Sequence, residues 1–359
     1  MYREEHEDGT VTGGPFRYLP IAYARLGKPV ATLLTGLYAV AIFFFGAIGG
    51  NMFQANQTFA QMQNVTGGED GPLGSAGASL IFGLLLAGLV GLVIIGGISS
   101  IARVTSKLVP AMAAVYVLCC LTVIAVNIVH VPDAIGEIIS GAFNPEGVAG
   151  GIAGVMVIGF QRAAFSNEAG VGSAAIAHSA VKTKRPISEG FVALLEPFVD
   201  TVVICTMTAL AIVIAEPQSW LDSRAAAAAG EAVNADGVTL TSDAFATVVS
   251  WFPIVLAVAV ALFAFSTLIT WAYYTQKAWT TLFGRGPRRE RAFHILFCSF
   301  TALGAVVTLT DVVNLADAML FACALINVTA LYLLLPVVKQ EFREYWQDRK
   351  DGKLETADA

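Results

Sequence analysis

Charged side chains are scarce in this sequence of 359 residues, because Lys, Arg, Asp and Glu together make up only 13% of it. A typical soluble domain carries roughly 25%. Apolar residues account for 56% of the chain. One globular core cannot bury so much apolar surface, so a second apolar environment is required. The composition therefore excludes an ordinary soluble enzyme and predicts a protein embedded in a lipid bilayer.

The sequence also lacks a basic excess, a signal peptide and a cysteine framework. Its 21 Lys and Arg against 27 Asp and Glu leave a net charge of −6, which offers no basic surface for nucleic acid. The first twenty residues are too polar for a signal peptide. The five cysteines lie within apolar runs without metal-ligand spacing, and we interpret them as buried free thiols.

Long apolar runs, by contrast, recur along the whole chain. A helix needs about 20 mainly apolar residues to cross the hydrocarbon core. Seven runs satisfy this requirement, the sixth being short: residues 29–49, 80–98, 109–130, 191–215, 252–272, 293–308 and 316–335. An eighth candidate, residues 148–183, is long enough but contains polar residues and glycines at its middle. The pattern predicts an all-α polytopic membrane protein with about eight transmembrane helices.

The basic residues indicate that the interrupted segment also crosses the membrane. Cytoplasmic loops are enriched in Lys and Arg. With eight crossings and both chain ends in the cytoplasm, all of the 21 Lys and Arg fall on the cytoplasmic side except Arg162 and Arg224. Without a crossing at residues 148–183 the basic loops would lie on both faces.

The interruption, at residues 165–173, predicts a binding site. Backbone groups freed inside a bilayer are tolerated only where protein or a water-filled cavity surrounds them. Gly170 and Gly172 let the chain leave helical geometry, and the following half-helix would direct its positive end to the membrane centre. Arg162 and Glu168 need a partner or a cavity, so they pair with each other or Arg162 lies at the outer mouth. The alternative is a glycine-softened packing seam between helices.

Residues 159–174, GFQRAAFSNEAGVGSA, closely resemble the signature of the sodium:alanine symporter family, the alanine or glycine:cation symporters. Other stretches agree with that family: GGP at 13–15, GGNMFQAN at 49–56, GGI at 96–98, IARV at 101–104, KLVP at 107–110, EPFVDT at 196–201 and AFST at 264–267 with Trp271. The resemblance covers about residues 1–346. It implies a five-plus-five inverted-repeat transporter of the leucine-transporter type in a bacterial or archaeal cell membrane.

By that resemblance the chain divides into four parts: residues 1–28 form a cytoplasmic loop segment, 29–147 three helices of the first repeat, 148–337 the second repeat with its broken helix at 148–183, and 338–359 a charged cytoplasmic tail. The second repeat then has five spans, but only three precede it. We therefore expect an incomplete fold that lacks the first core helices, as in an N-terminally truncated family member.

The resemblance implies sodium-coupled symport of a small neutral amino acid, alanine or glycine, into the cell, with no cofactor beyond the coupling ion. The implied substrate-binding residues are Asn51, Gln54, Phe165, Ser166, Asn167, Gly170, Gly172 and Trp271. Ser266 and Thr267 are implied to supply oxygen ligands to sodium, a hard cation. The alternatives are interfacial amides, hydroxyls bonded to their own helix, and simple packing.

The charged residues that stand out within the predicted spans are Arg162, Glu168, Glu196 and Asp200, with Asp317 near the outer end of the last span. Glu196 and Asp200 are four residues apart and share a helix face, which favours ion handling, although Glu196 could also bind N–H groups freed near Pro197. We interpret Asp317 as interfacial. No Ser/His or Asp/Asp arrangement supports an enzyme. The alternative to transport is a membrane fragment with a binding or regulatory role.

Overall fold

The computed structural model describes residues 1–5, 11–143, 151–229 and 237–353. Each of the four predicted parts therefore lies partly outside the described residues, which leave out 6–10, 144–150, 230–236 and 354–359. Glu4–Glu5 and Val11–Thr12 pair as two short antiparallel strands, β1 and β2.

The rest of the described chain is almost entirely helical. In chain order its helices are α1 Pro15–Ala22, α2 Lys28–Val65, α3 Ala76–Ile94, α4 Gly97–Val126, α5 Val131–Phe143, α6 Gly151–Asn167, α7 Ser173–His178, α8 Pro186–Ala215, α9 Gln218–Ala228, α10 Val238–Ala246, α11 Phe252–Phe283, α12 Pro287–Gly304 and α13 Leu309–Lys350. Short 3-10 turns cover Tyr23–Leu26, Gly68–Asp70 and Ile128–His130. Proline in the first turn, where a missing N–H costs nothing, starts α2, α11 and α12.

Six of these helices are long and apolar enough to cross a membrane: α2, α3, α4, α8, α11 and α13. They coincide with six of the eight predicted spans, as a polytopic membrane protein requires. The other two predicted spans are helical but shorter or more polar. One is α6 with α7, and the other is α12, which begins with three arginines and one glutamate.

The first long helix extends further than its hydropathy predicts. The apolar run ends near residue 49, yet α2 continues to Val65 through a π-helical turn at Ile48–Met52. The polar second half stays helical because its amides find partners inside the protein. Asn56 Nδ2 donates to Val307 O over 2.7 Å, and Gln61 Nε2 to Ser242 Oγ over 2.9 Å. The helix therefore continues to Val65, well beyond the predicted span that ends at residue 49.

The core is built around α2, which packs along both α11 and α13. Its buried centre contains large side chains from all three helices, including Tyr38, Phe45, Trp271 and Leu320. A second pair, α3 with α12, packs at the side of this centre, and α4 packs on α11. The outward faces remain apolar, as on Leu325, which is 73% exposed. Such a surface suits contact with lipid.

The helix at residues 151–178 is interrupted where glycine and polar residues cluster. α6 ends at Asn167 and α7 begins at Ser173, and the residues between them are not helical. Three have left-handed backbone, with φ of 55° at Glu168, 85° at Gly170 and 101° at Gly172. A Cβ at Gly172 would lie 2.6 Å from the Tyr38 hydroxyl, so glycine is required there by space as well as by conformation.

Candidate functional site

A cavity of about 420 Å³ lies where the end of α6 meets α2 and α11. Small-molecule sites typically measure about 300–1,000 Å³ and combine apolar walls with a few polar groups. The lining residues are Phe45, Gly49, Gly50, Phe53, Gln54, Arg162, Phe165, Ser166, Glu168, Thr267 and Trp271. This composition suits a small ligand that carries both apolar and charged groups.

The apolar wall consists of aromatic rings in edge-to-face contact. Phe45 meets Trp271 with ring centroids 4.9 Å apart and Phe165 at 5.8 Å, and Phe53 meets Phe165 at 5.3 Å. Each such pair adds about 0.5–1.5 kcal/mol beyond area burial. The rings therefore hold one another in place and define the shape of the cavity.

The Trp271 ring packs directly on the backbone of α2 at the π-helical turn. A Cβ on Gly50 would lie 2.2 Å from that ring, and one on Gly46 would lie 2.1 Å from the Thr275 hydroxyl. Side chains at either position would push α11 away from α2. The extra residue of the π turn and the glycines together bring the indole to the cavity.

Glu168 occupies the break and connects its two sides. Its Oε2 accepts a hydrogen bond of 2.6 Å from the Ser173 hydroxyl at the start of α7, and its Oε1 accepts one of 3.1 Å from Trp271 Nε1. The carboxylate thus lies at the start of the second half-helix, where the helix dipole favours an anion. The positive end of the second half-helix, expected at the membrane centre, therefore already faces a carboxylate of the chain itself.

The backbone groups freed by the break bind protein groups. Tyr38 donates to Val171 O over 3.0 Å, and Asn327 Nδ2 donates to Gly170 O over 2.8 Å. Asn167 Oδ1 accepts from the N–H of Ala169 over 2.9 Å. These bonds replace the missing helical ones, as a buried break requires.

Arg162 pairs with Asp317 of α13 rather than with Glu168. Its guanidinium also lies 5.5 Å from the centroid of the Phe165 ring. Asp317 is only 8% exposed, so its carboxylate lies inside the protein and not on the protein surface. The pair brings an arginine from α6 and an aspartate 155 residues later to one side of the cavity.

Of the residues singled out from the sequence, the structure brings seven to the cavity: Gln54, Arg162, Phe165, Ser166, Glu168, Thr267 and Trp271. Asp200 is connected to the cavity lining by one hydrogen bond of 2.6 Å, which its Oδ2 accepts from the Ser166 hydroxyl. Asn167 donates instead to Thr201 Oγ1 over 2.7 Å. The hydroxyl and amide bonds join the end of α6 to the π-helical stretch Phe198–Cys205 of α8.

The remaining candidates lie outside the cavity lining. Asn51 is buried against α12, donating to Phe297 O and accepting from Thr301 Oγ1, both over 2.8 Å. Ser266 donates to Phe263 O within its own helix. Glu196 is partly exposed, with its carboxylate 3.9 Å from His178 Nε2. The carbonyl of Gly170 and the Cα of Gly172 face α13 and Tyr38.

Reasoning from the sequence did not assign four of the lining residues to the site: Phe45, Gly49, Gly50 and Phe53, of which the last three lie in the quoted stretch GGNMFQAN. Paired glycines inside an apolar run, next to phenylalanines, were the available signal. Asn327 and Tyr38, which hold the break, carried no local signal because their partners are more than 130 residues away.

Comparison with known proteins adds an independent finding. The model of the sodium:alanine symporter family matches residues 1–359. The chain is 33% identical over 355 residues to the sodium/alanine symporter AgcS of Methanococcus maripaludis, and the matched region covers 98% of this chain and 73% of that protein. It is 31% identical to the amino-acid carrier protein AlsT of Bacillus subtilis, over 95% of this chain and 67% of that one. A sodium/proton-dependent alanine carrier protein of Bacillus sp. strain PS3 is 30% identical over 76% of this chain and 63% of its own length.

Proposed function

Because the chain belongs to the sodium:alanine symporter family, a family of transporters and not of enzymes, we propose that it carries alanine or glycine into the cell together with sodium. The observation that carries this proposal is the cavity at the broken helix, with its aromatic wall and its fixed carboxylate. A small amino acid needs an anionic partner for its ammonium group, polar partners for its carboxylate and a small apolar space for its side chain. The lining of the cavity offers all three.

In the proposed binding mode the ammonium group of the amino acid lies against Glu168. The substrate carboxylate lies towards Arg162 and the amide of Gln54, which donates and accepts without adding charge. The side chain of the substrate faces Phe45 and Trp271. Since these rings are locked in edge-to-face contact, we expect the site to favour a methyl group or a hydrogen over larger side chains.

The coupling ion is proposed to bind near Thr267, which lines the cavity. Ser266 is buried and bonded to Phe263 O, so it supports the backbone at this point. Hydroxyl and carbonyl oxygens are suitable ligands for a hard cation such as sodium. Sodium and substrate would then share one cavity, which makes the binding of each depend on the other.

The ion pair of Arg162 and Asp317 is proposed to close the outer side of the cavity. Asp317 lies near the start of α13, whose other end carries the basic residues predicted to be cytoplasmic. Opening the pair would expose the cavity to the outside, and re-forming it would close the cavity over bound substrate. Alternating access of this kind is typical of transporters with broken helices.

The helix pairing supports the proposed inverted repeat. Before the break the first two long helices are α2 and α3, and these pack along α11 and α12 respectively. Equivalent helices of two repeats are expected to pair in the same order. We propose that the chain crosses the cell membrane eight times, three times in residues 29–147 and five times in residues 148–337. Both ends of the chain then lie in the cytoplasm.

Uptake by proteoliposomes that contain the purified chain tests the proposal. We expect uptake of labelled alanine or glycine when sodium is higher outside, and loss of uptake when an ionophore removes that gradient. Uptake that ignores the sodium gradient would contradict the coupling. A folded chain that neither transports nor binds alanine would favour the binding or regulatory alternative.

Glu168→Gln, which keeps the shape of the side chain but removes its charge, tests the site. We expect a rise in KM of about 10-fold or more, because hydrogen bonds to charged groups contribute about 1.5–3 kcal/mol. The matched control is Glu196→Gln, a carboxylate outside the cavity lining, which should leave KM within about twofold.

A further inference from the structure

A second and larger cavity, of about 860 Å³, lies between α3 and α12. None of its lining residues also lines the cavity at the broken helix. Its wall is strongly apolar along most of its length and comes from two helices predicted to lie within the bilayer. We call it the lateral groove.

The lateral groove forms because small side chains line its floor and large ones its rims. Near Gly83 the helices touch, since a Cβ there would lie 2.5 Å from Ala302 O. A Cβ at Gly91 would lie 3.5 Å from Cys298 Sγ, which is an ordinary van der Waals contact, so the helices are further apart there. Leu84 and Ile295 form exposed rims, at 57% and 63% exposure. The groove is therefore open to the side, and a hydrocarbon chain is the natural occupant of such a space within a bilayer.

One end of the lateral groove is polar. There Glu290, Arg291 and His294 of α12 contribute to the lining. The Nε2 of His294 is buried and has no hydrogen-bond partner among the described residues. A buried polar atom of this kind usually has a partner. The neighbouring Arg288 and Arg289 give this helix end an excess of positive charge over the single glutamate.

We propose that the lateral groove binds one anionic glycerophospholipid of the cytoplasmic leaflet. Its phosphate lies against Arg291 and accepts a hydrogen bond from His294 Nε2, and one acyl chain runs over Gly91 and Cys298. The arginine-rich end of α12 is predicted to be cytoplasmic, and basic pockets between transmembrane helices on that side suit anionic head groups. The lipid would bridge α3 and α12 and so stabilise their pairing.

Native mass spectrometry of the delipidated full chain tests the head-group part. The probes are phosphatidylglycerol and phosphatidylcholine with identical acyl chains, and we expect phosphatidylglycerol to be retained more tightly. Arg291→Gln should weaken its binding about fivefold, since one basic residue near an anionic membrane surface contributes about 1 kcal/mol. Arg288→Gln removes the same charge from an exposed position outside the groove lining and should have little effect. Equal retention of both lipids, or equal losses in both variants, would overturn the proposal.

Filling the groove tests the acyl-chain part. Gly91→Trp should lower the retention of phosphatidylglycerol at least about fivefold. Gly88→Trp is the matched control, because Gly88 lies on the same helix with nothing within 4 Å of an added Cβ. Unchanged retention in Gly91→Trp, or the same loss in both variants, refutes a lipid in the groove. A dimer that Gly91→Trp dissociates would identify a second copy of the chain as the occupant instead. If Gly91→Trp does not fold, the comparison of Arg291→Gln with Arg288→Gln decides the question alone.

Discussion

Gly50 shows how one hydrogen in place of a side chain shapes the candidate site. The indole of Trp271 lies where a Cβ on Gly50 would be. The same indole donates a hydrogen bond to Glu168. A methyl group at position 50 would displace the ring and with it one of the two hydrogen bonds that hold the carboxylate. The residue thus controls geometry across three helices without any polar group of its own.

Gly50→Ala is therefore expected to lower the rate of sodium-driven alanine uptake by about 10-fold or more, since overpacking a tight core typically costs about 1–3 kcal/mol. The melting temperature of the purified chain should fall as well. Gly36→Ala is the control on the same helix, where an added Cβ meets nothing within 4 Å. It should leave uptake unchanged and raise stability slightly. Normal uptake by Gly50→Ala would contradict the packing argument.

At the scale of elements, the break between α6 and α7 depends on a side chain from α13. Asn327 donates to Gly170 O and accepts a hydrogen bond from the Tyr18 hydroxyl. One amide therefore ties the broken segment, the last long helix and α1 together. Buried polar networks of this kind specify one arrangement when every member is satisfied.

Removing that amide by Asn327→Ala should destabilise the protein by about 1–3 kcal/mol, because two buried groups lose their partner. Hydrogen exchange of the amides in residues 168–172 should accelerate. Asn314→Ala, at an exposed position of the same helix, should change stability by less than about 0.5 kcal/mol. Unaltered exchange in Asn327→Ala would show that the break is held by other contacts.

The ion pair between α6 and α13 is a second connection between elements. Breaking it by Asp317→Asn should reduce uptake about tenfold or more, because Arg162 would lose its charged partner beside the cavity. Exchanging the charges, with Arg162→Asp and Asp317→Arg in one chain, should restore part of the loss. An exchange variant no better than either single substitution would indicate that the position of each charge matters beyond their attraction. Asp311→Asn, an exposed acid near the start of the same helix, serves as the control.

At the scale of the whole molecule, the Lys and Arg distribution predicts the orientation of the helices in the membrane. Lys182 follows the broken helix and is predicted to face the cytoplasm, whereas Asp70 is predicted to lie outside. In a background where the five native cysteines are replaced by alanine, Asp70→Cys should react with an impermeant maleimide in intact cells. Lys182→Cys should react only after the cells are opened. Reaction of both in intact cells would mean that residues 151–178 do not cross.

Much of the site could be predicted because the SNEAGVGS run concentrates polar and glycine residues inside an apolar span. Local signals of this kind indicated Ser166, Glu168 and the region of the break. They could not separate Gln54, which lines the cavity, from Asn51, which binds α12. The two amides are three residues apart on one helix and look alike in sequence. Only the π-helical turn and the neighbouring helices place one of them at the cavity and the other against α12.

The sequence by itself determined the membrane environment, the family and the approximate ends of the long helices. Hydropathy, basic loops and a specific motif are local properties, so no distant contact is needed to recognise them. Only the tertiary structure decided that Asp317 pairs with Arg162 and that Asn327 and Tyr38 hold the unwound backbone. Those partners are more than 130 residues apart along the chain, and they meet because helices that bury their polar groups from lipid must satisfy them against one another.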